Sequence, residues 1–599
     1  MKACVKVKTP YGMQLRWKLP GGMPFTVHLK DNTKVKNKKR WSQVMYMSYV
    51  LDHKQKILVR DDQTFILTTD ADVNFKHDSM EALIDYMLQD ETIGAVCGRT
   101  HPMGKGPLVW YQIFDYAIGH WFMKVANHMF GSVLCCPGCF SLYRCQAVRD
   151  ILPTYSTTVN EAFEFLTKDM GEDRWMCTLM VQAGWRLMYC AAAEDVTYCP
   201  MNFDEFYKQR RRWMPSTLAN LALLISEWRV TLGNNEHISV PFIIFQLFLL
   251  VSTIIGPSTV ILVIVGGMVY GVGANENTSV ILLSLITLTY GLICLFMSQD
   301  FQLKTAKFLT FVFAVIMILV TIGVAAQIAN ELELMLPAGI STLYLGGLAG
   351  IFMVAALMHP TEAYCLINGL WYLLCLPSGY LLLTIYSVVN MTDRSWGNEH
   401  DLADFESSRE LLAPGERHST VPSKAACEYP GPRAKRNSAP PDLQPTTSNG
   451  NSLSKQSASQ ESAYVSEDSL KIRHARRQLD RCRTIDLEVD NSDDGAEYDF
   501  WDGLREACLK PELAGFDGNT ELKDKLEDLR NTTLMVFLIS NVLWMIVIMV
   551  LVKHSNLKLL GVDFVGLMFL SVYGTIILFQ FIAMLAHRLT TLIHLLARA

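Results

Sequence analysis

Gly171-Glu172-Asp173-Arg174-Trp175 sets two adjacent carboxylates beside a guanidinium. Gln209-Arg210-Arg211-Arg212-Trp213 gathers three guanidiniums and an indole just before the chain turns apolar. A carboxylate can take a proton, a guanidinium can hold a departing phosphate, and an indole can stack on a sugar ring. Together these abilities describe a site for glycosyl transfer. Upstream, Asp70-Ala71-Asp72 adds alternating carboxylates able to share one hard divalent cation on diphosphate oxygens. Each group also has a plainer reading. Asp70-Ala71-Asp72 by itself reads as a solvated loop, Glu172-Asp173 as a charge pair with Arg174 at a helix N-terminus, and the arginines as flanking charge of a membrane segment or a lipid-headgroup patch. Two features favour chemistry: Arg174 helps keep its neighbours ionised, and the arginine cluster follows closely enough to fold back through one connection.

These residues need elements to hold them. Thr64-Phe65-Ile66-Leu67-Thr68-Thr69 reads as a strand running out at the acidic loop, the usual α/β position for a ligand, with a helix over 79–88 behind it. Residues 93–99 read as the next strand, turning at Thr100-His101-Pro102, where His101 is a turn hydrogen-bonder rather than a base. An aromatic helical pattern over 109–129 carries Trp110, Tyr111, Phe114, Tyr116 and Trp121, mostly core, with Asp115 a candidate for sugar hydroxyls. A helix is expected over 175–183. Gln209, Arg212 and Trp213 fall on one helical face by i, i+3, i+4 spacing, so one side can turn to a pocket. Cys135-Cys136-Pro137-Gly138-Cys139 contains a C-x-x-C without a second pair at zinc spacing, and reads as a tight Pro-Gly turn.

The chain has 599 residues, a net charge of −5 and 50% hydrophobic residues, unevenly spread. Roughly the first 235 are soluble in character, 239–389 are almost wholly apolar, a Ser- and charge-rich stretch follows, and two apolar runs end the chain. Apolar runs over 241–271, 279–298, 308–329, 339–357, 363–389, 534–552 and 562–586 each approach the ~20 residues needed to cross a bilayer. The first contains Gly256-Pro257, so part of it can lie at the interface. No basic start with an apolar core stands at the N-terminus, so the soluble part is expected in the cytosol with reduced thiols. The near-neutral balance gives nucleic acid no support as a partner. Lys304 and Lys307 read as a cytosolic loop, and the sequons at Asn277 and Asn390 as outer-side loops. Counting on that basis sets 390–533 outside. Basic residues beside Ser438, and the run Arg473-His474-Ala475-Arg476-Arg477, suit the cytosol instead, so the side stays open. The middle of that stretch is poor in large apolar residues and is expected to be disordered. Spans with few charges speak against an ion-coupled transporter. They suit a polymer channel with Trp371, Tyr372 and Tyr380 in its wall.

The order D-x-D, E-D, Q-x-x-R-W resembles the processive inverting glycosyltransferases that make cellulose, hyaluronan and chitin. Gly171 to Trp175, Gln209-Arg210-Arg211-Arg212-Trp213-Met214-Pro215-Ser216-Thr217, Cys136-Pro137-Gly138-Cys139-Phe140-Ser141-Leu142 and Ser395-Trp396-Gly397 are similar to animal-type chitin synthases in particular. After that last motif, Asn398-Glu399-His400 stands where the family usually has Thr-Arg-Glu. The resemblance implies an α/β glycosyltransferase A-type (Rossmann-like) cytosolic domain followed by an α-helical transmembrane bundle. Its divisions are a partial catalytic domain over 1–235, about five transmembrane or interfacial helices over 239–389, a polar, largely disordered loop over 390–533, and two helices over 534–599. An upstream nucleotide-binding strand with an acidic loop is also implied, and the chain is expected to be N-terminally truncated.

The resemblance further implies Asp173 as general base and Glu172 as a holder of acceptor or donor amide. It assigns Asp70 and Asp72 to Mg2+ or Mn2+. Lys39, Arg40, Gln209 and Arg212 would meet the donor nucleotide and pyrophosphate, and Trp213 with Cys136, Pro137 and Gly138 the acceptor. The implied partners are UDP-GlcNAc, a growing chitin chain and membrane lipid, with a homo-oligomer left open and no nucleic acid. The implied setting is a multi-pass plasma-membrane protein. Another polysaccharide synthase on this scaffold, or a non-catalytic membrane fragment, remain the competing readings.

Overall fold

The computed structural model describes residues 4–19, 21–54, 60–333, 340–393, 494–511, 516–553 and 573–598. Ser395-Trp396-Gly397 and most of the polar stretch lie outside them. The chain forms two units, one of residues 1–31 with 398–498 and one of 32–397 with 499–599. In the first, β1 (Val5–Thr9), β2 (Gly12–Lys18) and β3 (Pro24–Lys30) make an antiparallel meander. On it, Gln14 Nε2 donates to Glu497 Oε1 at 2.6 Å.

The second unit holds a five-stranded mixed sheet in the order β4 (Phe65–Thr69), β7 (Phe140–Arg144), β6 (Ile93–Met103), β8 (Arg186–Tyr198), β5 (Asn74–Phe75). β6 and β8 are parallel, while β7 runs antiparallel to both β4 and β6. The register Thr69↔Phe140 sets the end of β4 against the start of β7. The Asp70-Ala71-Asp72 turn and the Cys-Pro-Gly-Cys loop therefore emerge at one edge of the sheet.

β6 does not turn at 100–102. It pairs with β7 only over Ala95–Cys97 but with β8 as far as Met103. Pro102 thus lies where one side of β6 is free, and a residue without an N–H is tolerated there.

Helix α1 (Lys39–Ser48) precedes the sheet. α2 (His77–Gln89) buries Ser79, Leu83 and Met87 at four-residue spacing; Leu83 and Met87 pack with Ile93, Val96, Leu142 and Met188, and the Ser79 hydroxyl donates to the Glu194 carbonyl at 2.7 Å. α3 (Pro107–Ile118) passes through one π turn, Gly119–Lys124, into α4 (Val125–Phe130), so the single aromatic pattern becomes a helix with one wide turn. α5 (Cys145–Tyr155) follows β7.

α6 (Glu172–Gln182) begins at Gly171, where a Cβ would stand 2.7 Å from the Ser216 Cβ. Glycine is what lets its first turn close on α7 (Phe203–Ser226). α7 starts at Asn202, whose side chain accepts from the Asp204 N–H, with Asp204 and Glu205 at the positive end of the helix.

Next come α8 (Val240–Ile254) and α9 (Gly256–Val272), bent 63° apart at Gly256-Pro257. α10 (Glu276–Phe296), α11 (Gln299–Glu333), α12 (Ile340–Met358) and α13 (Cys365–Pro377) follow, the last running through a π turn into α14 (Leu383–Val389). α15 (Phe516–Lys553) and α16 (Thr575–Arg598) close the chain. Among the described residues five helical stretches are long and apolar enough to span a membrane, or six with the bent pair counted as one.

The residues read as loop markers lie at helix ends in the fold. Lys304 and Lys307 lie on the first turns of α11, and Lys307 Nζ sits 2.8 Å from Asp204 Oδ1 of α7. Asn390 is buried, its amide donating to Gln302 Oε1 at 2.8 Å, so it is no outer-side glycan acceptor in this fold. Met391 and Leu526 pack in one cluster with Phe165, Leu166 and Ala219 of the catalytic half. Residues 391 and 526, near the two ends of the polar stretch, therefore pack against the same part of the α/β domain.

Candidate active site

The centre of the site is the Asp173 carboxylate on the first turn of α6. Its Oδ1 accepts from Gln43 Nε2 of α1 at 3.1 Å, and its Oδ2 from the Gly138 N–H at 3.1 Å. The loop backbone at Gly138 runs close to Asp173 and Lys39. A Cβ would lie 3.3 Å from Lys39 Nζ and 3.4 Å from both Asp173 oxygens. Lys39, on the first turn of α1, reaches Asp70 Oδ1 at 3.3 Å and Glu172 Oε1 at 3.8 Å. Burial works against the charge on Lys39, but Asp173, Glu172 and Asp70 outweigh it and hold the ammonium well above its ordinary range.

Glu172 is only 6% exposed. Burial, then the neighbouring Asp173 charge, push its carboxyl up to about 7, against the pull of Lys39 and Arg212. Arg174 was expected to keep both carboxylates ionised. The cations that act on Glu172 come instead from α1 and α7, and burial exceeds them.

α7 sorts the arginine cluster by helical phase. Arg212 is the one drawn to the carboxylate pair: burial lowers its guanidinium, while Glu172 and Asp173 raise it. Arg210 donates to Asp115 Oδ2 at 3.0 Å and lies 4.7 Å over the Trp213 ring, so Asp115 is tied to a cation. Arg211 pairs with Asp393. Neither is mere flanking charge. Gln209 Oε1 is buried and accepts no hydrogen bond among the described residues, and Trp213 is half-buried.

The site thus gathers Asp173, Glu172, Lys39, Asp70, Gly138 and Arg212. Arg40 is not among them. It is 1% exposed, donates from Nε to Asp169 Oδ1 at 2.7 Å and from Nη1 to the Tyr155 and Thr157 carbonyls at 2.8 Å each. Cys136 is fully buried; its N–H donates to Cys177 Sγ at 3.0 Å and its carbonyl accepts from the Tyr143 hydroxyl at 3.0 Å, which anchors the loop beneath Pro137 and Gly138. Cys135, Cys136 and Cys139 are not joined in disulfides. His101, within β6, faces Glu194 at 3.9 Å.

Asp70 and Asp72 share one turn, Asp70 partly and Asp72 freely exposed. Asp70 already faces an ammonium. Two hard oxygens on an open turn fit a divalent cation that keeps waters and takes phosphate oxygens. Tyr155 was missed in the sequence, and Gln43 closes the run Lys38–Gln43 that the resemblance sets at the nucleotide rather than at Asp173. Gln43 had a signal, since it follows Lys39 by four residues and so shares its face of α1. Tyr155 had none.

An α/β domain of the glycosyltransferase A kind, joined to a bundle of membrane helices, defines the class: a membrane-bound transferase scaffold. Residues 32–320 match the family model described as chitin synthase. The chain is 32% identical over 689 residues to chitin synthase chs-2 of Caenorhabditis elegans, covering 100% of this chain and 41% of that protein. It is 36% identical over 448 residues to a chitin synthase of Meloidogyne artiellia (73% of this chain, 23% of that one) and 38% identical over 428 residues to chitin synthase chs-1 of Caenorhabditis elegans (70% and 32%). The chain belongs to the chitin synthase family, and it spans at most 41% of the length of these three relatives. The family is one of family 2 glycosyltransferases, which typically depend on a metal.

Proposed function

We propose that this chain carries the chemistry that transfers N-acetylglucosamine from UDP-GlcNAc to the growing end of a β-1,4-linked chitin chain. Transfer inverts the anomeric carbon, and the polymer then passes into the membrane helices. One observation carries the reading: a carboxylate, Asp173, is aimed by an amide and a backbone N–H into a ring of cations and acids. Asp173 takes the proton of the acceptor 4-hydroxyl while that oxygen bonds to the anomeric carbon. The bond from that carbon to the diphosphate breaks on the opposite face, and its electron pair leaves with UDP.

Lys39, Gln209 and Arg212 hold the charge that develops on the diphosphate. Asp70 and Asp72 are the residues that would hold Mg2+ or Mn2+. A cation bound there neutralises diphosphate oxygens. Glu172, with its carboxyl near 7, can donate or accept and so holds a sugar hydroxyl or the acetamido group. Trp213 gives the acceptor sugar a stacking face, its indole backed by Arg210. We assign Arg40 to holding α1 rather than to the nucleotide, because it is buried and its Nε and Nη1 are committed to Asp169, Tyr155 and Thr157.

The setting that suits this reading is a multi-pass plasma-membrane protein with residues 1–235 as its cytosolic catalytic part, where UDP-sugars are found. The membrane segments would be 239–389 and 534–599, with 390–533 on the cytosolic side. The test is Asp173→Asn in the full-length protein, read as incorporation of radiolabelled N-acetylglucosamine in membranes. Synthesis should fall ~10²–10⁴-fold, with UDP-GlcNAc binding retained. Parental synthesis at equal membrane abundance would refute the base assignment.

A further inference from the structure

We infer that Gln43, seated by Tyr155, is a positioning residue that sets the angle of the Asp173 carboxylate. This rests on the reading of Asp173 as the base. Gln43 is 6% exposed and Tyr155 fully buried. The Tyr155 hydroxyl donates to Gln43 Oε1 at 2.6 Å. With that oxygen occupied, the amide has one orientation left, and its Nε2 points at Asp173 Oδ1 at 3.1 Å. The Gly138 N–H meets Oδ2 at the same distance from another element. Two donors, one on each oxygen, remove both the rotation and the tilt of the carboxyl group.

Tyr155 is itself fixed. Its ring stacks on Trp175, two residues beyond Asp173 on α6, with centroids 5.4 Å apart and planes at 24°. Its carbonyl accepts from Arg40 Nη1 at 2.8 Å, and Arg40 Nε is anchored on Asp169. Asp169, Arg40, Tyr155 and Gln43 thus form a buried chain of contacts that ends on the base.

The charged groups that face Asp173, namely Lys39, Glu172 and Arg212, set its electrostatic surroundings without direction. Gln43 is neutral and directional, so it contributes aim. A residue that only filled space would not need an amide here. A hydrocarbon of the same volume would take the Gln43 donor from Asp173 Oδ1 and leave the Tyr155 hydroxyl only the longer contact to the Glu172 carbonyl, at 3.5 Å. Asn is one methylene too short to span the two.

The experiment compares Gln43→Leu, Tyr155→Phe and Asp173→Asn in the full-length protein in membranes, with kcat, the KM for UDP-GlcNAc and UDP affinity measured at equal abundance. Losing a hydrogen bond to a charged, positioned group should lower kcat about ten- to hundredfold in Gln43→Leu. Donor KM and UDP affinity should stay within about twofold of the parent, because only an interaction made at the reacting hydroxyl is lost. Tyr155→Phe frees the amide to turn over and should lower kcat several-fold in the same pattern. Parental kcat in Gln43→Leu overturns the inference, and so does a loss shared equally by kcat and UDP affinity, which marks general damage. If Gln43→Leu does not reach the membrane, Tyr155→Phe decides: a selective kcat loss supports the inference and parental kcat overturns it. Parental synthesis in Asp173→Asn would refute the base itself. An inactive Asp173→Asn beside a fully active Gln43→Leu refutes only the positioning role.

Discussion

Replacing Glu172 by Gln should stabilise the protein far more at pH 8 than at pH 5, while lowering synthesis. Glu172 stands almost out of contact with water beside a second carboxylate. Burial first, and the Asp173 charge second, move its carboxyl from an ordinary 4.5 to about 7. In the unfolded chain the group ionises near 4.5, in the folded chain near 7. Between these values the folded state binds more protons, so stability falls as pH rises through that window. The cost is absent below the lower value and complete above the higher one. At about 1.4 kcal/mol per tenfold change in proton affinity, it reaches ~3 kcal/mol. For a unit of a few hundred residues that corresponds to about 6–12 °C in melting temperature as an upper bound. Gln is never charged and removes the cost without changing the volume. The assay is tryptophan-fluorescence melting of parent and Glu172→Gln in detergent, without divalent metal or nucleotide, at pH 5 and pH 8. A gap of the same size at both pH values would refute the reasoning. So would a Glu172→Gln less stable than the parent at pH 8, since Lys39 and Arg212 would then outweigh burial and hold Glu172 ionised.

Asp72→Ala should weaken UDP binding only when Mg2+ or Mn2+ is supplied, since this carboxylate acts through the cation; calorimetry showing equal affinity of mutant and parent in saturating Mn2+ counts against it. Trp213→Ala should leave UDP binding intact and lower polymer synthesis roughly ten- to hundredfold, on the scale of ~1–3 kcal/mol known for aromatic stacking on bases, and Phe should restore part of it. Parental incorporation by Trp213→Ala at equal abundance would leave the indole as a ring packed under Arg210 and nothing more.

The sequence made the parts of the site legible where residue type alone restricts the chemistry. Asp173, Glu172 and Arg212 stood out as carboxylates and cations at telling spacings, Lys39 only through the family resemblance, and the structure brings them to one place. It was silent where helical phase decides. Lys39 and Arg40 are adjacent cations, yet Lys39 shares a face of α1 with Gln43 and reaches the carboxylates, whereas Arg40 points about 100° away and is consumed by Asp169. Arg210, Arg211 and Arg212 look alike in one dimension and part in the same way, toward Asp115, Asp393 and the Glu172–Asp173 pair. Strand order was hidden as well. No periodicity announces that β7 inserts antiparallel between β4 and β6. Yet that insertion is what carries Gly138 from a loop far along the chain to the end of β4, where its N–H can meet Asp173. Hidden too were the partners of Lys307 and Asn390: charge and sequon patterns mark them as loop residues, whereas in the folded chain they pair with Asp204 and Gln302.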